Sequence, residues 1–297
     1  MKTNSLTITY LAKVSFASLN GGDKEVDNIN TIKKVTLENG DQLPYMSSQA
    51  VRRALRDKIQ EFGWSVSPVG ESSEAKGAAK TACDPENYID DDLFGFMDAA
   101  KTGTFVRTSP VRVEALMALS KFQDDLDFGT NFMAKDSGGN PNIFETEIHS
   151  GLYRGTVLIE LDRVGSESKG AGKKEFSVPS AEKAKRVIAL LDALQTLWSS
   201  GRQSRFLADI SPKFVAAALM KSKNPVFLET LKAKKDGQVD VEALKTVKAD
   251  YADFIEDSVL ATQEGVFAKG DDTVVSLAQG FATIKGWVNA YYSVNNQ

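Results

Sequence analysis

Apolar residues at alternate positions, Leu6, Ile8, Tyr10, Ala12, Val14 and Phe16, open the chain with mostly polar partners between them. A period of two places such a set on one face of a pleated strand, so a half-buried strand is predicted here, the first of a sheet core. A polar stretch containing Gly and Asn follows, SLNGGDKEVDNINTIKKVTLENGDQ, with a short strand expected near Ile32 to Leu37. The period then changes. In LPYMSSQAVRRALRDKIQEFG, Leu43 to Gly63, the residues Val51, Ala54, Leu55 and Phe62 share one side of a helix turning about 100° per residue. Gln49, Arg52, Arg53 and Arg56 project together in a narrow sector on the other side. Ser47 or Ser48 suits the N-cap, since a hydroxyl there accepts from an otherwise unpaired backbone N–H.

From Phe62 to Pro110 the chain is small, polar and broken by Pro and Gly, which predicts an inserted irregular lobe before and around the apolar DLFGFM. Val111 to Leu119 reads as a short helix, and Asp124 to His149 as a long hairpin about the turn-rich KDSGGNPN. LYRGTVLIELDRV, Leu152 to Val164, is a strand with Val157, Ile159 and Leu161 on one face. Val187, Leu190, Leu191, Leu194, Leu197 and Trp198 keep helical spacing over Ala181 to Trp198. A strand is expected at Phe214 to Met220, and two helices, Val239 to Thr262 and Val274 to Tyr292, close the chain. Irregular alternation of strands and helices, with hairpins, argues for an α+β fold over a doubly wound sheet.

The 297 residues suffice for a sizeable core, and 42% hydrophobic with 26% charged residues is the composition of an ordinary globular protein. Lys and Arg number 36 against 40 Asp and Glu, a formal charge of -4. That balance excludes a general polycation and leaves a local basic track open. The longest apolar run, FVAAALM, is far short of the roughly 20 residues of a membrane span. The alternating N-terminus has no continuous apolar core of the signal-peptide kind. Cys83 is the only cysteine, so no internal disulfide forms, and a cytoplasmic protein without membrane partners is expected.

The arginine sector of the helix has two readings, a solvated charged face or a phosphate track. Guanidinium groups grip phosphate oxygens bidentately, and a helix N-terminus adds free N–H groups. Asp57 lies to one side of the sector. GRQS and its surroundings, SSGRQSRF from Ser199 to Phe206, bring Gly201, Arg202, Gln203 and Arg205 onto a loop between a helix and a strand, where either binding or helix-dipole compensation is served. RTSPVR adds Arg107 and Arg112, and KGAGKK a basic surface loop. Asp90, Asp91 and Asp92 do not converge naturally on one ion, so structural salt bridges are the expected use. His149 is the only histidine, which leaves no His/Cys metal site and no nucleophile-elbow triad. It reads as structural or as an RNA-stacking residue. Phe132 and Met133, near the hairpin tip, read as core for its base or as a wedge between bases. With no P-loop or dinucleotide fingerprint either, no enzyme, metal or cofactor is expected.

LPYMSSQAVRRALR, YIDDDLFGFM, RTSPVRVEA, NIFETEIHSGLYRGTVLIELDRVG and GRQSRFLADISPKFVAAAL occur in this order. Together they resemble the backbone subunit of the CRISPR surveillance complex Cascade, closest to the DevR-type autoregulator branch of type I-B systems. The resemblance spans residues 6–220. It implies a right-hand shape built as one domain: an RRM-like (ferredoxin-like) palm at 1–61 and 150–297, an inserted finger region at 62–110 and a thumb β-hairpin at 124–149. It implies that copies polymerise along CRISPR RNA beside other Cascade subunits and present the spacer to a target DNA strand. Ser48, Gln49, Arg52, Arg53, Arg56, Arg107, Gly201, Arg202, Gln203 and Arg205 are then the RNA-binding residues, with Phe132, Met133 and His149 on the thumb. The RRM aromatic motif is not legible, so base stacking on the sheet face is not expected.

The alternative is a metal-dependent backbone subunit of the type III kind that cleaves target RNA, with Asp23 or Asp27 as the loop aspartate. A third reading, transcriptional autoregulation through DNA, is suggested by the family's name more than by residues.

Overall fold

A computed structural model describes residues 2–22, 29–71, 79–100, 103–131, 138–139, 142–170, 172–199, 201, 205–234 and 236–294. The alternating start forms β1 (Ser5–Ala17), followed by β2 (Ile29–Asn30), β3 (Lys34–Thr36), β4 (Gln42–Met46) and α1 (Ser48–Glu61). The 62–110 segment carries two short hairpins, β5 (Gly70–Glu71) with β6 (Ala79–Lys80) and β7 (Phe96–Ala100) with β8 (Gly103–Arg107). Between them lies α2 (Ile89–Phe94). The chain continues through β9 (Val111–Val113), β10 (Leu116–Ala118), β11 (Leu126–Asn131), β12 (Asn142–Glu147) and β13 (His149–Glu160). After β14 (Ser166–Glu167) and β15 (Phe176–Ser177) come α3 (Ser180–Gln195), β16 (Phe214–Met220), α4 (Val241–Asp250), β17 (Ile255–Thr262), β18 (Val274–Ser276) and α5 (Leu277–Val294).

A mixed α+β architecture results. The main sheet has the order β18-β17-β16-β1-β13-β10-β4-β3, with β9 also paired to β13. Its pairings are antiparallel except β17 with β18. Helices α1, α3 and α5 cover one face, where Leu6, Ile8, Tyr10, Ala12 and Val14 meet Leu55, Ile59, Leu190, Leu194, Phe281 and Ile284. The other face is closed as well. Leu11, Phe214, Ala216 and Met220 pack there beneath Phe227, Leu231 and Leu244.

That second layer corrects the expectation of a half-buried first strand: Thr7 and Thr9, the polar alternates, are also buried. It also explains FVAAALM, whose seven residues are all buried because both faces of β16 are covered. One close approach fixes the register of the central pair. Tyr10 lies across Gly155, its cross-strand partner, and a Cβ there would sit 2.8 Å from the ring.

Two helix expectations fail. Val111 to Leu119 forms β9 and β10, because Val111, Val113, Leu116 and Ala118 each bury on alternation against β13. Pairing with a central strand outweighs the helix propensity of Glu, Ala, Leu and Met. The segment 239–262 is helical only over α4, after which Ile255, Val259 and Thr262 run as β17 along the free edge of β16. The irregular 62–110 segment does reach the interior, since Ile89, Leu93 and Phe94 of α2 belong to the main core.

Candidate nucleic-acid interface

Helix α1 starts as its sequence asks. Ser47, in extended conformation, accepts from the Ala50 N–H, and Val51, Ala54, Leu55 and Ile59 form the buried stripe. Ser48 has a different job from the one its position suggested: its hydroxyl donates to the Val113 carbonyl at 2.7 Å and pins the helix start to β9. Gln49 is exposed.

The three arginines of the sector are not equivalent. Arg53 is exposed and pairs with Asp57 at 2.8 Å. Arg56 pairs with Asp90 at 3.1 Å and lies over the Phe94 ring, 4.8 Å from its centroid. The sector is therefore neutralised in part, by an acid one turn on and by another from α2 that helical spacing alone does not reveal. Arg52 is different. Its Nε is buried and has no hydrogen-bond partner among the described residues. Burial, and then the positive charge of Arg56, lower its pKa. Arg53 and Arg56 each have an acid, whereas among the described residues none pairs with Arg52.

The loop after α3 comes to the same place. Gly201 and Arg53 line one cleft beside the helix start. Arg202 and Gln203 lie outside the described residues. Arg205 is held by the hairpin: it donates to Thr146 Oγ1 at 2.9 Å, pairs with Asp127, and sits between the Phe144 and Phe206 rings at 4.7 and 5.3 Å. Phe206 in turn tilts on Phe16. Phe144 lies against Gly129, where a Cβ would come 2.5 Å from a ring carbon. The loop and the base of the hairpin thus form one stacked unit.

Two expected site residues are corrected. Arg107 is 3% exposed, and its donors go to Asp92, the Arg163 and Ser166 carbonyls and Glu167. No phosphate reaches it. His149 is buried at the first residue of β13, between the Tyr153 hydroxyl at 2.8 Å and Ser120 at 3.3 Å, and burial lowers its pKa. It is a structural residue at the hairpin's foot. Phe132 and Met133 lie outside the described residues, as do Asp23 and Asp27. The salt-bridge expectation for the aspartate run fits the geometry of Asp90 and Asp92, with Asp92 buried between Arg107 and Arg186. Among the described residues no three His, Cys, Asp or Glu side chains gather as a metal site. No helix among them is long and apolar enough to cross a membrane.

Sequence reasoning missed Asp127, Phe144 and Thr146. The only available signal was the proximity in sequence of these residues to the hairpin turn, which says nothing of which loop they would meet.

Comparison with known proteins places this arrangement. The family described as CRISPR-associated negative auto-regulator DevR/Csa2 matches residues 8–243. A protein of Myxococcus xanthus (strain DK1622), CRISPR-associated protein Cas7/Cst2/DevR, is 27% identical over 256 residues, covering 79% of this chain and 78% of that protein. A chain of a CRISPR RNA-guided surveillance complex in a pre-nicking state superposes with a TM-score of 0.63 at 15% identity, over 96% of this chain and 99% of the other. A second CRISPR RNA-guided surveillance complex gives 0.61 at 16% identity, over 95% and 99%. At such identities the structural likeness is one of fold. The match over most of the length makes this chain a member of the DevR/Csa2 family of CRISPR-associated proteins.

Proposed function

We propose that the chain is a non-catalytic backbone subunit of an RNA-guided surveillance complex, working in the cytoplasm. Copies line up along CRISPR RNA beside other Cascade subunits, grip its phosphates through α1, and present the spacer for pairing with a target DNA strand. The observation that carries this reading is Arg52, a partly exposed guanidinium with no acid paired to it among the described residues, next to the N-terminal turn of a helix. Arg53 and Gln49 extend the track at the surface.

The palm reading is supported by the order β16-β1-β13-β9/β10 and by α1 and α3 lying in the two crossovers, the connectivity of an RRM-like split βαβ unit. The sheet face that such units use to stack bases is closed here by α4 and the Phe227–Leu231 turn. Backbone gripping on the helical side is the mode left, and it suits a protein that must accept any spacer. The 62–110 segment is the finger and the β11–β12 hairpin the thumb in this scheme.

Binding of single-stranded RNA and duplex DNA across a salt series tests it. Wild type is expected to prefer RNA without regard to sequence, and Arg52→Ala to flatten the salt slope by about 0.7 for the phosphate it releases. An Arg52→Ala slope equal to that of wild type overturns the assignment.

A further inference from the structure

Helix α5 sets two aromatic side chains one turn apart, Trp287 and Tyr291, both partly exposed. Trp287 packs in part against the main core, and its indole N–H donates to Asp257 Oδ2 of β17 at 2.9 Å. Asp257 is exposed, and its other oxygen accepts from the Ser258 N–H at 2.7 Å. A carboxylate oxygen accepts twice, so one position stays open on each. The charge is open as well. Glu256 is answered by Lys221 at 3.2 Å and Asp162 by Lys223 at 2.9 Å, whereas no described Lys or Arg pairs with Asp257. None lies over the Trp287 indole either, although Arg56, Arg107 and Arg205 each cover a ring elsewhere in the fold. Strand register puts this patch away from the basic helix. Asp257 pairs with Leu219 and Leu219 with Leu6, at the start of β1, while Asn20, past the end of β1, holds the start of α1. Trp287 and Asp257 also lie beyond residues 8–243, the span that the family matches.

We infer that Trp287 and Asp257 form a receptor for an arginine side chain presented by a protein partner. A guanidinium is a flat cation with five N–H donors. Laid over the indole, within about 6 Å of its centroid, it meets the negative face of the aromatic ring that attracts cations best. Its edge then donates to the open positions of Asp257, because that carboxylate is already fixed at the rim of the same ring. The hydrogen bond from the indole to a carboxylate also polarises the ring and deepens its attraction for a cation. Tyr291 continues the aromatic surface by one turn, where the arginine stem lies. Trp, Tyr and Arg are the side chains enriched at the centres of protein interfaces. A lysine ammonium is a compact, strongly hydrated point charge that does not stack, so the pair selects arginine. Asp257 repels phosphate, so the surface suits a protein and not a nucleic acid, and the formal charge of -4 steers a basic partner toward it.

Blocked tripeptides Gly-X-Gly, with arginine, lysine or the neutral isostere citrulline at X, test the receptor on the full chain. The indole N–H resonances of Trp64, Trp198 and Trp287 are followed by heteronuclear NMR, and Trp287→Phe identifies its own by deleting it. The Trp287 resonance is expected to shift saturably with the arginine peptide, about tenfold more tightly than with citrulline and about threefold more tightly than with lysine. Asp257→Asn keeps an acceptor for the indole and removes the charge, so the preference over citrulline is expected to fall to about threefold. Trp64 and Trp198 resonances at their wild-type positions show that this variant is folded, and the wild-type series decides alone if it is not. Citrulline matching arginine, or shifts confined to Trp64 and Trp198, overturns the receptor. Lysine matching arginine overturns the stacked guanidinium, and an unchanged ratio in Asp257→Asn overturns the role of the carboxylate. The peptides carry no phosphate, so each of these outcomes leaves the reading of α1 standing.

Discussion

Asp90 accepts from Arg56 Nε at 3.1 Å through one carboxylate oxygen and from the Ser67 N–H at 2.7 Å through the other. One buried acid thus ties the basic helix to the segment that follows it, and it removes Arg56 from the group of free cations. Asp90→Ala is expected to lower unfolding free energy by about 3 kcal/mol, since it strands a partly buried guanidinium and an N–H together. Denaturant titration measures the loss. Arg56→Ala, by the same geometry, is expected to cost stability and to leave the salt slope of RNA binding nearer wild type than Arg52→Ala does.

Asp92 is fully buried and holds two arginines at once: Arg107 on one oxygen, Arg186 at 2.9 Å on the other, with the Gly165 N–H at 3.0 Å from both. Asp92→Asn keeps the shape and deletes the charge. Two buried cations then keep only their longer pairs, Arg107 with Glu167 at 3.3 Å and Arg186 with Glu182 at 3.4 Å, and a loss of about 3 kcal/mol is expected, read as a drop in the unfolding midpoint. Unchanged stability in that variant contradicts the hub.

Arg205 clamps the hairpin to the palm through Asp127, Thr146 and Phe144. Lysine keeps the charge but loses the planar fork and the stack, so Arg205→Lys is expected to resemble Arg205→Ala. Both are expected to speed amide hydrogen exchange in β11 and β12 several-fold while β1 and β13 keep their protection. A lysine variant with wild-type exchange makes Arg205 a charge and no clamp.

Glu160 supplies a pH dependence. Burial pushes its carboxyl up, yet hydrogen bonds from Lys223, Arg112 and Arg163 outweigh burial and hold it below the usual range for glutamate. With a folded-state pKa below the unfolded one, the group stabilises the fold above the unfolded value, and that contribution is lost as pH falls through the folded value. Stability is expected to decline below about pH 5, and Glu160→Gln to show a lower plateau and a shallower acid limb in pH-dependent melts.

Local pattern carried the elements whose type follows from their own sequence. The alternation of β1, the apolar stripes of α1 and α3, the seven-residue run of β16 and the Asp124–His149 hairpin are each a period that the chain states for itself. The arginine sector was legible for the same reason, because it is a property of one helix. What tertiary structure decided is everything that depends on a partner distant in sequence. Val111 to Ala118 became strand because β13 offered an edge, and Thr7 and Thr9 were buried because α4 and the turn before it fold back over them. The same holds within the site. Arg52, Arg53 and Arg56 are alike in sequence, and they differ only because Asp90 arrives from α2, Asp57 from the next turn, and no described acid at all reaches Arg52. Helical spacing places a charge on a face. Whether that charge is free for a phosphate depends on what else the fold has brought within 4 Å of it.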